Sequence, residues 1–228
     1  SKVISYYDDV AATFTNFAMS GIDKVHFGLE AAVSIPIYHT LALNGAVSWG
    51  QYTYDSNPYY LQTQDNSGDI VSDGYVYWKD FRVESTPQTA VNVGLSWRSN
   101  NNIYLSADFN YYNNMYLSMS PIYRTDAVIT GGMAPGDIEH LRRQEKFDSA
   151  YTLNASIGKN WYIHRKYTLG FSLDVKNILN NQDIKTGGYE QTRLSKNTET
   201  TVTTYQAFDS KYFYMFGTTY YLNLYFRF

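Results

Sequence analysis

The sequence predicts an all-β fold: an antiparallel transmembrane β-barrel, of which this chain supplies about seven strands. Three observations predict it. Apolar and polar residues alternate with a period of two along seven separate segments, the pattern of strands that present two unlike faces. The connections between those segments alternate between short and long, as in outer-membrane barrels with tight turns on one rim and loops on the other. The composition is aromatic without being greasy: 24 Tyr, 12 Phe and 4 Trp make up 18% of 228 residues, yet mean hydropathy is −0.40. Tyrosine supplies apolar area with a polar tip, which suits surfaces that meet lipid and water together.

The elements follow in chain order. In 24–35, Val25, Phe27, Leu29, Ala31, Val33 and Ile35 point one way, and Lys24, His26, Gly28, Glu30, Ala32 and Ser34 the other. The second run opens at Leu41 and sets Leu43, Val47 and Trp49 against Asn44, Ala46 and Ser48. The third opposes Val91, Val93, Leu95 and Trp97 to Asn92, Gly94, Ser96 and Arg98. The fourth places Ile103, Leu105, Ala107, Phe109 and Tyr111 opposite Tyr104, Ser106, Asp108, Asn110 and Tyr112. The fifth has Tyr151, Leu153, Ala155 and Ile157 against Thr152, Asn154, Ser156 and Gly158. In the sixth, Leu169, Phe171, Leu173 and Val175 oppose Thr168, Gly170, Ser172, Asp174 and Lys176. The last, within 211–228, sets Tyr220, Leu222, Leu224, Phe226 and Phe228 against Tyr221, Asn223, Tyr225 and Arg227.

Short turns fall at Tyr38–Leu41, Asn100–Ile103 and His164–Tyr167; the long connections, 58–84, 121–146 and 183–209, read as structureless loops. Trp97 and Trp161 sit beside short turns and Trp49 near the far end of its strand, so the three form a candidate aromatic girdle. A soluble antiparallel sandwich also alternates, but loops this long are uncommon in compact soluble domains. Seven antiparallel strands leave the first and last running the same way, so they cannot close on each other. Val3–Ala11, with Tyr6-Tyr7-Asp8-Asp9, is a poor eighth strand. The expectation is that strands outside this chain complete the barrel, because unpaired edges in hydrocarbon are too costly.

A net charge of −3 without a basic run argues against a nucleic-acid partner. The absence of Cys excludes a disulfide scaffold and thiolate chemistry. No window holds the ~20 apolar residues of a spanning helix, and Ser1–Tyr7 lacks signal-peptide character. No cofactor or metal is expected: His26, His39, His140 and His164 show no ligand spacing. Glu30, Asp108 and Asp174 share the polar face, where pairing with Lys24, Arg98 or Lys176 is expected ahead of acid–base catalysis. Gly131-Gly132 and Gly187-Gly188 sit in long connections where no phosphate cradle is expected. Candidate ligand contacts lie in the loops: Tyr59, Tyr60, Tyr75, Tyr77 and Trp78 in 58–84, and Tyr189, Arg193 and Tyr205 in 183–209. Aromatics with interleaved polar groups suit sugars or peptide-like ligands, although such loops are rich in Tyr and Asn regardless of ligand.

Three further motifs bear on identity. The chain ends on Phe228 with Phe226, Leu224 and Leu222 in phase, which looks like the signal read by the outer-membrane insertion machinery. Leu173-Asp174-Val175-Lys176-Asn177-Ile178-Leu179-Asn180-Asn181 resembles the penultimate-strand motif of TonB-dependent receptors. Lys24-Val25-His26-Phe27-Gly28-Leu29-Glu30 and Ser85-Thr86-Pro87 are similar to features of earlier strands in that family, and the matches run in order from about Phe14 to Phe228. The resemblance implies the last seven or so strands of a barrel of about twenty-two, with residues 1–228 as its C-terminal segment. The plug, the TonB-docking box and the roughly fifteen earlier strands are then expected outside this chain. It implies energised import of a glycan, peptide, iron chelate or vitamin across the outer membrane of a Gram-negative bacterium, and no enzyme activity. The implied partners are the remaining strands and plug, TonB, the insertion machinery, membrane lipid and lipopolysaccharide, and a surface lipoprotein as in the SusC-like branch. The alternatives are a small closed barrel serving as anchor or adhesin, and an outer-membrane hydrolase.

Overall fold

The computed structural model describes residues 1–8, 12–84, 86–130, 135–164, 166–197 and 204–228, and the backbone alone at 135–137, 140, 194–197 and 204–206. β1 (Lys2–Asp8) and β2 (Thr13–Ser20) form a hairpin that leads into the long pair β3 (Lys24–Tyr38) and β4 (Leu41–Tyr54). The next connection carries β5 (Tyr59–Gln64) and β6 (Ile70–Tyr75), before β7 (Thr89–Arg98) and β8 (Ile103–Asn113). A 3₁₀ turn (Ile122–Arg124), α1 (Asp126–Thr130) and α2 (Pro135–Arg142) precede β9 (Ala150–Ile163) and β10 (Tyr167–Lys176). The short strands β11 (Lys185–Tyr189), β12 (Leu194–Asn197), β13 (Thr204–Ala207) and β14 (Lys211–Tyr214) then lead to β15 (Thr219–Arg227).

The main sheet is antiparallel throughout, in the order β15-β10-β9-β8-β7-β4-β3, and holds the seven expected strands. Directly opposed residues share a face of a sheet, so register tests the predicted faces. Ile35, Leu43, Leu95, Ala107, Ala155, Val175 and Tyr220 form one row across all seven strands. On the other face Pro36, Ala42, Ser96, Ser106, Ser156, Asp174 and Tyr221 form the matching row. The two faces stay in phase from edge to edge. A one-residue slip in any strand would have broken the pattern.

Among the described residues nothing covers the apolar face: Leu29 is 69% and Leu224 71% exposed, and every residue of β3 is exposed. The polar face is knit by side chains. Ser34 Oγ donates to Asn44 Oδ1 (2.7 Å), Asn44 Nδ2 to Ser96 Oγ (3.1 Å), and Asn92 Nδ2 to Asn110 Oδ1 (2.9 Å). Ser106 and Ser156 share a hydroxyl bond of 2.8 Å. The Tyr104 ring lies across Gly158, and Tyr225 across Gly170, where any Cβ would collide with the phenol. The residue pairs expected to form ion pairs do not meet. Register sets Glu30 opposite Ser48, Asp108 opposite Gly94 and Asn154, and Asp174 opposite Ser156 and Tyr221. Among the described residues none of Glu30, Asp108 and Asp174 joins an ion pair.

β3 and β15 are the two edges of this sheet and are not paired with each other, and among the described residues no sheet closes on itself. β1, in the segment read as a poor strand, is a strand over Lys2–Asp8, but it joins a separate sheet, β1-β2-β5-β6, and adds nothing to the seven; residues 9–11 lie outside the described residues. The long connections also differ from expectation. They are not structureless: 58–84 carries β5 and β6, 121–146 the 3₁₀ turn and helices, and 183–209 the strands β11 to β13. The expected last strand, 211–228, is broken. β14 pairs with β11, and β15 with β10. Asn177 makes the break: its Nδ2 donates to Phe216 O (3.0 Å) and Asn181 O (2.9 Å), while Thr218 Oγ1 donates to Asn177 O (2.9 Å). Asn177 and Asn180 both hold φ of +51°, a left-handed conformation that Asn tolerates better than most residues.

All the long connections leave the same end of the main sheet and fold into a cap. The hydrophobic core lies there, not on the sheet. Phe17, Met19, Tyr60, Val76, Trp78, Met119 and Ile122 pack with Tyr54 at the end of β4. Smaller clusters form around Leu117 and Phe147, and around Tyr123, Val128 and Leu141. No helix among the described residues is long and apolar enough to cross a membrane.

Candidate functional site

The outer surface of the β1-β2-β5-β6 sheet brings three of the expected loop residues together. Alternation in β5 and β6 turns Tyr60 and Val76 inward and leaves Tyr59, Tyr75 and Tyr77 exposed. Register sets Tyr59 opposite Tyr75, and their rings meet edge to face with centroids 5.8 Å apart. One carboxylate holds a ring here and a second holds the backbone. The Tyr59 hydroxyl donates to Asp73 Oδ2 at 2.5 Å. Asp126, at the start of α1, accepts from the Tyr75 amide (2.9 Å). The Tyr59 phenol has a raised pKa, chiefly through its bond to Asp73, and the Tyr77 phenol is raised by the neighbouring Asp126 carboxylate. Gly74, at φ +152°, makes room for this: a Cβ there would sit 2.9 Å from Asp126 Oδ2.

Tyr60 and Trp78, read from the sequence as ligand contacts, are core residues. They are 1% and 2% exposed; Tyr60 stacks on Phe17 and bonds to Ser72, and Trp78 packs on Tyr54. Tyr189 is exposed and its ring lies 5.9 Å from that of Phe213. The Arg193 guanidinium lies 4.5 Å from the centre of the Phe208 ring, and its carbonyl accepts from Tyr123. The Tyr205 side chain lies outside the described residues, as do Gly131 and Gly132.

A buried ion pair, which the sequence does not announce, ties the loops together. Arg124, 1% exposed, donates through Nη2 to Glu190 Oε1 (2.9 Å) and through Nη1 to Glu190 Oε2 (2.5 Å) and Ser120 O (3.1 Å). Glu190 Oε2 also accepts from the Ser120 amide (2.8 Å), and the Arg124 carbonyl accepts from the Tyr77 amide (2.8 Å). The pair therefore joins the loop bearing Tyr77 to the loop bearing Tyr189. In a second cluster Lys185 Nζ and the Tyr212 hydroxyl both donate to Glu145, at 3.1 and 2.8 Å. Burial alone would lower the Lys185 ammonium, but the bond to Glu145 together with the charges of Glu145, Tyr212 and Tyr214 outweighs it and leaves the pKa raised.

The remaining candidates fall on separate elements. His26 packs on Tyr52, His39 against Tyr38, and His164 sits in a short turn; the His140 side chain is not described. Among the described residues no group of three or more His, Asp or Glu is placed to hold a metal. Trp49, Trp97 and Trp161 all fall on the apolar face, Trp97 and Trp161 near strand ends but Trp49 inside β4, which runs on to Tyr54; Trp49 is edge-on to Phe27 and Trp161 lies under the Lys159 ammonium. Leu222, Leu224, Phe226 and Phe228 share that face and are exposed. No protein-family model and no curated protein matches the chain.

Proposed function

We propose that this chain is the C-terminal barrel portion of a TonB-dependent receptor of the bacterial outer membrane, an importer of a scarce glycan, peptide, iron chelate or vitamin and not an enzyme. One observation carries the reading: seven antiparallel strands in one register hold a continuous apolar face that none of the described residues covers. In water that face would be a large aggregation surface. Against lipid it is the ordinary exterior of an outer-membrane barrel, with Trp49, Trp97 and Trp161 as girdle residues and the polar face lining the lumen.

The open edges support completion by other polypeptide. Open edges at β3, of 15 residues, and β15, of 9, would leave several N–H and C=O groups bare in hydrocarbon, each costing several kcal/mol, more than the roughly 5–15 kcal/mol of a folded domain. β3 and β15 run parallel, so fully antiparallel closure requires an odd number of further strands. A small closed barrel would need β3 and β15 to pair, and they do not. In this reading the cap is extracellular and carries the substrate site. The earlier strands and plug line the lumen, TonB acts through the plug, and the cap offers a seat for a surface lipoprotein.

The test uses the full-length parent protein in its native host. It should fractionate with the outer membrane and migrate faster on gels unboiled than boiled, and its deletion or loss of TonB should abolish uptake of one nutrient. A periplasmic or cytoplasmic protein without heat-modifiable migration would overturn the proposal.

A further inference from the structure

We propose that Lys159, with Trp161, Tyr167 and Lys166, forms a binding site for the headgroup of an anionic phospholipid on the outside of the main sheet, at the end that carries the short turns. This rests on the apolar face meeting lipid, as proposed above, and it goes beyond that reading by assigning one lipid class to one patch.

Placement is the first support. Register puts Lys159 on the apolar face, in the row Ile103, Lys159, Phe171 and Leu224. Among the described residues paired across the main sheet, it is the one charged side chain on that face. Among the described residues no carboxylate forms an ion pair with it. A charge facing hydrocarbon is costly and calls for a counter-ion. Residues 31–54, 85–107 and 149–173 hold the three short turns and most of the strands beside them, yet contain none of the chain's 21 Asp and Glu. The lipid itself is then the source of the anion.

Direction is the second support. The Lys159 ammonium lies 5.1 Å from the centre of the Trp161 ring, so the side chain leans along its face toward the turn. From the far side of the same turn, the Lys166 ammonium lies 5.3 Å from the centre of the Tyr167 ring. Tyr167 stands opposite Ile163 and Trp161 opposite Leu169, so the two rings are diagonal neighbours on one face. From Lys159 to the strand end at Ile163 is about 13 Å along the strand at about 3.3 Å per residue. At a tilt of about 45° that is about 9 Å of depth. An ammonium bent toward the turn from that depth reaches for the lipid phosphates while its alkyl stem stays in the apolar layer. Two lysines favour a headgroup of net negative charge, because a zwitterionic one brings an ammonium of its own.

Native mass spectrometry of the full-length protein in detergent tests this, with dioleoyl phosphatidylglycerol and dioleoyl phosphatidylcholine as probes. Phosphatidylglycerol should be retained at least fivefold more tightly. Lys159→Met with Lys166→Gln should remove that preference, and Lys159→Arg should keep it. Met suits lipid, so the double variant should fold, read as heat-modifiable migration on gels. Arg98→Gln with Arg227→Gln, at the same end but on the polar face, should change the preference less than twofold. Equal retention of the two lipids, a preference that survives in the lysine variant, equal loss in both double variants, or displacement of the lipid by an equal concentration of glycerol 3-phosphate would each overturn the proposal. A protein that fails the outer-membrane test refutes the membrane reading on which this site rests. One that passes it and holds both lipids equally refutes this site alone.

Discussion

Replacing Glu190 by Ala should open the cap while leaving the main sheet intact. Arg124 is buried and gives two of its guanidinium donors to the Glu190 carboxylate and one bond to Ser120 O. Removing the carboxylate leaves a buried cation with a single carbonyl partner and takes the acceptor from the Ser120 amide. Breaking a buried pair from one side costs about 3–5 kcal/mol. At 1.4 kcal/mol per tenfold, that raises the local opening equilibrium by roughly a hundredfold to a few thousandfold. Glu190→Gln keeps the shape and one acceptor and should cost less. Hydrogen exchange on the intact protein in micelles reads the effect at amides that only the cap protects, such as Tyr77 N bonded to Arg124 O and Glu190 N bonded to Ser118 O. Amides in β8 and β9 supply the internal control. Exchange at Tyr77 accelerated by less than tenfold would refute the reasoning, because the pair would then not hold the loops together.

Leu173→Arg, in the apolar row with Ile157 and Leu222, should cost roughly 2–4 kcal/mol in lipid, read as the shift in urea midpoint in vesicles; Ser172→Arg on the other face should cost much less. Lipid-phase labelling of single cysteines should mark positions 105 and 171 but not 106 and 172, and the reverse pattern would invert the two faces. Phe228→Ala should lower the amount of full-length protein inserted in the outer membrane, read by quantitative blotting; an unchanged amount would make the terminus ordinary. Asn177→Ala removes three side-chain bonds and places Ala at positive φ, so it should cost about 2–4 kcal/mol and make the 215–218 junction sensitive to protease. The Tyr123 phenol, pushed up to about 12 by burial, has the opposite sign from a carboxylate in an ion pair. Its contribution of about 2–3 kcal/mol is complete below pH 10, the unfolded value, and is lost as pH rises toward 12. Proteolysis of the cap should therefore quicken over that window, and Tyr123→Phe should flatten the response.

The main sheet was legible because each of its strands has one apolar face and one bearing polar groups, so alternation survives over nine residues or more. Register then follows, since only one pairing keeps both faces in phase. The cap strands are shorter, and turn chemistry interrupts them. β5 and β6 do alternate, with Tyr59 out and Tyr60 in, and Tyr75 and Tyr77 out around Val76. That signal separates exposed from buried tyrosines once the two runs are recognised as a hairpin around Asn66-Ser67-Gly68. Trp78 left no such trace, because its burial depends on Tyr54 and the residues of β2. Arg124 and Glu190 stand 66 positions apart on irregular segments, and no periodicity links them. Asp126 was missed for the same reason, since it meets the Tyr75 amide only where the connections 58–84 and 121–146 fold against each other, whereas Asp73 meets Tyr59 within the β5–β6 hairpin. The ion pairs expected on the polar face failed on register, which sets each carboxylate opposite a small or uncharged partner.

The division between sheet and cap has an energetic consequence. Residues of the main sheet bury little against one another, so its cohesion rests on backbone pairing, on the polar-face ladders and on whatever covers the apolar side. Pairing of that kind is worth most where water is excluded. The cap has the reverse design, with a conventional packed core, buried aromatic contacts and a buried ion pair, all effective in water. Detergent or lipid should therefore govern the sheet and leave the cap largely untouched, whereas core substitutions such as Phe17→Ala should melt the cap and spare the sheet. Two stabilities that respond to different solvents would let the cap loops open and close without loosening the strands that carry them.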